Sequence, residues 1–227
     1  MRMGQMLRFL LMAACLAAAA ARAEEASRRF LWEEAHATMA AAQTPEDYLK
    51  AARAYNRLVQ DGVRNGPLFF DLGTALLLAG DAPNAIAALE RAERYLGSTS
   101  DIRANLRLAC AAKTRQPDAD LPWSRMAFFW HFDQPVRVRA VIALAGWTLL
   151  WLGLLVRLLA GRRRGPSAAA DGPARVRSLG GSCAAFGALI GLVFGASALL
   201  SYVQERLDDR AWPERVFVSK PVQEGMP

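Results

Sequence analysis

Two long apolar stretches, each about as long as a bilayer-crossing helix, constrain this chain more than any other feature. Residues 140–160 carry one charge, Arg157, near their end, and residues 179–203 carry none. At a rise of about 1.5 Å per residue, each run covers a hydrocarbon layer of about 30 Å. A soluble domain built from 227 residues rarely collects its apolar side chains in this way. The pattern predicts transmembrane helices at 138–160 and 179–203, joined by a basic loop at 161–178. That loop holds Arg162, Arg163, Arg164, Arg175 and Arg177 against Asp171 alone. By the positive-inside rule it faces the cytoplasm, and both flanking regions face outward. Arg137 and Arg139, just before the first span, pull the other way and are outnumbered.

The start of the chain agrees with this path. Residues 1–23 read as a secretory signal peptide: Arg2 and Arg8, an apolar run to Ala21, and the small-x-small site Ala21-Arg22-Ala23 before Glu24. Cleavage after Ala23 is the expectation, with an uncleaved anchor helix as the alternative. Met12 ahead of Cys15 departs from the usual lipoprotein site.

Net charge +7 invites a nucleic-acid reading, but its distribution removes it. Residues 1–23 carry +3, 24–137 carry −1, 138–178 carry +6 and the remainder −1. The excess therefore lies where targeting and topology account for it. Cys15, Cys110 and Cys183 fall in the leader, a predicted helix and a span, which suits neither a disulfide framework nor a zinc site. With only His36 and His131, multi-histidine metal centres are excluded. The chain has no GxxxxGK[ST], HExxH, GxSxG or Cys-x-x-Cys. No enzyme, cofactor, metal, small-molecule substrate or nucleic-acid partner is expected. Glu33-Glu34 and Glu90/Glu93 read as solvated helix faces.

Within residues 24–115, Ala51, Tyr55 and Leu58 recur as Ala85, Leu89 and Ala92, each at an offset of 34. The second unit is similar to a tetratricopeptide repeat: Phe69, Leu72, Gly73 and Leu76 on its first helix, Ala85, Leu89 and Ala92 on its second, with Gly80-Asp81 turning between them. Small Gly73 and Ala85 let the helices approach while Phe69, Leu72 and Leu89 fill the gap. Trp32, Ala35, His36 and Met39 fit the first unit if about three residues are inserted around 43–46. His36 is read as a packing residue. A third helix at 101–113, with Ile102, Leu106 and Leu108 apolar, would cap the stack. The predicted fold is all-α, a tetratricopeptide-like helical repeat followed by two transmembrane helices.

This order of exported repeat, Asp101-Ile102-Arg103-Ala104-Asn105-Leu106, the aromatic run Phe128-Phe129-Trp130-His131-Phe132 and two spans resembles the BatE-type tetratricopeptide (TPR) membrane proteins of the Bacteroides aerotolerance operon. The resemblance implies an accessory role beside von Willebrand factor A domain proteins and a MoxR-type ATPase, in envelope stress or oxygen tolerance. It also implies a C-terminal SH3-like domain. Here only Arg215-Val216-Phe217-Val218 through Gly225-Met226-Pro227 is similar to its start, so 204–227 is expected to be a short exported tail with that domain missing or vestigial.

Concave faces of such stacks bind peptides, and the register puts Phe70, Thr74, Leu77 and Leu108 there, an apolar surface for a protein segment. The alternative is that Phe70 and Leu77 only pack. The link at 116–137, with Pro117, Pro122 and Pro135, breaks helix and is expected to set its rings at the membrane–water boundary, the alternative being that they pack into the core. Gly187, Gly191 and Gly195 recur every four residues and predict a tight helix contact, with the first span or with a partner's span. The functional expectation is a two-pass, periplasm-facing protein-interaction module of the bacterial cytoplasmic (inner) membrane. The alternative is a structural subunit of a transporter or envelope-processing complex.

Overall fold

A computed structural model describes residues 2–114, 123–162 and 172–215, and among these every regular element is a helix. Five come first: α1 (Arg2–Ala41), α2 (Pro45–Gln60), α3 (Gly66–Leu78), α4 (Ala82–Leu96) and α5 (Ser100–Thr114). Two single turns follow, α6 (Ser124–Ala127) and α7 (Phe129–Phe132). Two long helices, α8 (Val136–Arg162) and α9 (Gly172–Arg215), complete the described chain.

The breaks between helices are written in the sequence. Thr44 caps α2 with a reciprocal box to Asp47, and Pro45 takes the first turn, where no amide is needed. This is the point at which the repeat pattern required an insertion. Asn65 caps α3 by accepting from the Leu68 amide, and Asp81 caps α4 by accepting from that of Asn84. Gly80 and Gly97 end their helices at φ 84° and 80°, a left-handed conformation that favours glycine.

α1 to α5 pack in sequence, each on the next. Their core is Tyr55, Leu58, Val59, Leu68, Phe69, Leu72, Leu76, Leu89, Ile102 and Leu106, all buried. The Gly73–Leu89 fit expected from the repeat pattern is present: a Cβ on Gly73 would lie 2.7 Å from Leu89 Cγ. α1 runs unbroken from the leader into this module, so the expected cleavage point after Ala23 lies inside a helix.

α8 and α9 are long and apolar enough to cross a membrane, and only 11% and 17% of their most apolar stretches are buried. Leu144, Trp151, Leu158, Phe186, Leu192 and Leu199 point out of the protein, unlike the side chains of a soluble core helix. The pair is antiparallel: Gly146 meets Gly187 and Gly191, while Gly153 meets Gly180 and Ala184.

α9 does not stop at residue 203, where the apolar run ends. It continues as helix to Arg215, and Trp212 enters the core of the module. The expected tail at 204–227 is thus a docked helix over its described part. Val216-Phe217-Val218 and the rest of the SH3-like expectation lie outside the described residues, as do Pro117, Pro122 and Arg163.

Candidate interaction site

The predicted groove residues divide between two helices. Phe70, Thr74 and Leu77 lie on one face of α3, at i, i+4 and i+7, and all three are half-buried. Phe70 and Leu77 also lean on the core, so part of each ring or chain is spent on packing. Thr74 Oγ1 donates to the Phe70 carbonyl at 2.9 Å and accepts from Asn105 Nδ2 of α5 at 3.0 Å. Leu108 follows Asn105 by three residues on the same side of α5 and is 61% exposed. The four residues thus edge one surface that α3 and α5 share through the Thr74–Asn105 bond.

Beside them His36 approaches Asp71 at 3.7 Å and the Tyr55 hydroxyl at 3.3 Å, with the Trp32 ring centroid 5.1 Å away. His36 thus lies beside the Trp32 and Tyr55 rings while its side chain stays exposed. Burial raises the Asp71 carboxyl, and the His36 charge partly offsets this. Burial likewise holds the Tyr55 phenol well above its usual range, so it stays protonated. The face formed by Phe70, Thr74, Leu77 and Leu108 is thus edged by a His–Asp pair and the Asn105 amide.

A second arrangement, which the sequence reading did not anticipate, joins the module to α9. Arg91 is fully buried on α4 and pairs with Glu205 and Asp209. Its guanidinium sits 4.2 Å from the Phe69 ring centroid and 4.9 Å from that of Trp212. Arg94 pairs with Glu205 and Asp208, and Arg64 reaches Asp209 at 2.9 Å. The Tyr95 hydroxyl donates to Glu205 at 3.1 Å; burial and the Glu205 charge push its pKa up to about 12. Trp212 Nε1 donates to Asn56 Oδ1 at 2.8 Å, and its ring meets Phe69 edge-on at 6.0 Å. A sequence signal existed: Glu205, Asp208, Asp209 and Trp212 fall at i, i+3, i+4 and i+7, and Arg91, Arg94 and Tyr95 at i, i+3 and i+4, two matching helix faces.

At the head of the hairpin the link folds back on the module. Arg125 holds both Glu93 oxygens at 2.6 Å and lies 4.6 Å from the Phe132 ring centroid. Glu93 is consequently 3% exposed, which corrects its reading as a solvated face; Glu90 does remain exposed. Arg139 is fully buried, donating to His131 Nδ1 at 2.8 Å, to Ser197 Oγ at 2.7 Å and to Ser201 Oγ at 2.9 Å. Burial and the Arg139 charge lower His131 to about 4, so it is a neutral acceptor near neutral pH. Glu90, Glu93, Arg94, Arg125, His131, Phe132 and Gln204 enclose a polar cavity of about 240 Å³. No cluster of metal-ligating side chains occurs among the described residues.

Of the predicted glycine stripe, Gly187 makes the closest approach: a Cβ there would lie 2.5 Å from the Leu150 amide nitrogen. Gly191 and Gly195 have room, at 3.5 Å and 3.9 Å. The contact is with the first span of the same chain. Its other members, Gly146, Gly153 and Gly180, were missed because the operative spacing is seven: Gly146 to Gly153, and Gly180 to Gly187. Compared with protein-family models, curated proteins and solved structures, the chain matches none.

Proposed function

We propose that the chain is a two-pass membrane protein whose tetratricopeptide-like module faces the periplasm and captures a protein segment on the surface edged by Phe70, Thr74, Leu77 and Leu108. The observation that carries this reading is the docking of Trp212 and its acidic neighbours on the module. A module that precedes the hairpin and a helix end that follows it touch only if both lie on one side of the bilayer. The basic loop then occupies the other side, in accord with the positive-inside rule and an exported leader. The 34-residue spacing and the Gly73–Leu89 fit support the repeat reading. The role is binding rather than turnover, accessory to a membrane complex of the BatE type with von Willebrand factor A domain proteins and a MoxR-type ATPase.

Reporter fusions after Lys113 and after Val218 should be exported, and one after Pro166 should stay cytoplasmic. A cytoplasmic signal from the Lys113 fusion would overturn the topology. For the groove, Phe70→Ala should weaken cross-linking to the partner in mild-detergent extracts more than it lowers helicity. Equal loss of both would assign Phe70 to the core alone.

A further inference from the structure

The loop end of the hairpin differs in kind from its head. At the head Arg64, Arg94 and Arg125 each pair with a carboxylate of another element; at the loop end Arg157 of α8 and Arg177 of α9 have no carboxylate partner among the described residues. Both side chains are exposed and border one trough of about 510 Å³, lined otherwise by Trp151, Leu154, Leu155, Leu158 and Gly161. The apolar part follows α8 for about two turns toward mid-span, the direction an acyl chain takes from the interface. The charged part sits where long cationic side chains reach the headgroup layer.

We propose that this trough is a binding site for an anionic glycerophospholipid of the surrounding bilayer. Arg157 and Arg177 hold the headgroup phosphate, and Trp151, Leu154, Leu155 and Leu158 take one acyl chain. Two guanidinium groups from different helices match a phosphate by charge and by their paired donors. A zwitterionic lipid brings a compensating ammonium and forfeits part of that attraction. A soluble phosphate ester lacks the chain and leaves the apolar wall uncovered. Because the two arginines come from α8 and α9, the bound lipid also spans the open end of the helix pair, where Gly180 already brings the backbones together.

The test uses the full chain in phosphatidylcholine vesicles doped with phosphatidylglycerol, extracted gently and weighed by native mass spectrometry. Wild-type protein should retain phosphatidylglycerol in preference to phosphatidylcholine, and Arg157→Gln or Arg177→Gln should each cut that preference roughly fivefold. Arg137→Gln, at the other end of α8, should leave it unchanged. Equal retention by wild type and both glutamine variants would overturn the proposal, as would complete displacement of the lipid by inorganic phosphate. Failure of the wild type to co-sediment with vesicles would overturn the membrane reading itself, a result distinct from loss of lipid preference in an inserted protein.

Discussion

In the module, Gly73 leaves a gap on α3 that the Leu89 side chain of α4 fills; in the hairpin, Gly187 leaves a gap that the α8 backbone itself enters at Leu150. On the proposed membrane reading, the difference follows from the two solvents. Around the module, water rewards each buried Leu or Phe, so one small residue beside bulky ones suffices. Around the hairpin, lipid rewards no such burial, and attraction must come from close backbone approach. Small residues therefore face small ones, Gly146 to Gly187 and Gly153 to Gly180. Where the two regions meet, Trp212 is buried in the module's core, and charges paired between Arg91 and Arg94 of α4 and Glu205 and Asp209 of α9, with Arg91 stacked on rings, are added to that burial.

The joint is where the largest effect is expected. Glu205→Ala with Asp209→Ala leaves Arg91 buried without a counter-charge, at a cost of about 3–5 kcal/mol. Thermal unfolding of the detergent-purified chain should fall accordingly, and protease should cut between α9 and the module. A melt within error of wild type would mean that module and hairpin are stabilised independently.

Glycine substitutions sharpen the contrast. Gly73→Leu should overpack α3 against α4 by about 1–3 kcal/mol. Gly187→Ala should lower the melting temperature of the hairpin, whereas Gly191→Ala, with its nearest neighbour at 3.5 Å, should not. Identical melts for those two alanine variants would refute the backbone-contact account.

A smaller effect is expected from acid. His131 is neutral in the fold down to about 4, while the unfolded chain takes up its proton near 6.5. Unfolding thus gains a proton over that interval, and stability should decline as pH falls from about 6.5 toward 4, with no such slope above it. His131→Gln should flatten the profile of melting temperature against pH across this window. The smallest change in stability belongs to exposed Leu108: Leu108→Ala should alter unfolding by no more than about 0.5 kcal/mol, yet reduce partner capture in a pull-down.

Features set by local pattern were legible in the chain. Apolar runs gave both long helices, the Gly80-Asp81 turn separates α3 from α4, and small Gly73 lies against bulky Leu89. Features made by distant partners were not. Glu93 looked solvated because Arg125, 32 residues away, covers it only after the link folds back. The acidic face of 205–212 belonged to a segment read as a tail, since the apolar run that defined the helix ended at 203. Arg139 entered the reading as a topology charge, whereas Ser197 and Ser201 of the opposite helix bury it.

The unbroken length of α9 has a mechanical consequence. Its 44 residues at about 1.5 Å each make a rod of roughly 66 Å whose Trp212 end lies in the module's core and whose apolar part, on the proposed reading, lies in the bilayer. The helix is unbroken between its apolar part and Trp212, so no loop intervenes there. On the proposed reading, a partner would meet Phe70 and Leu108 at a set height and bearing, and a tilt of the hairpin in a thicker or thinner membrane would be passed on to that surface.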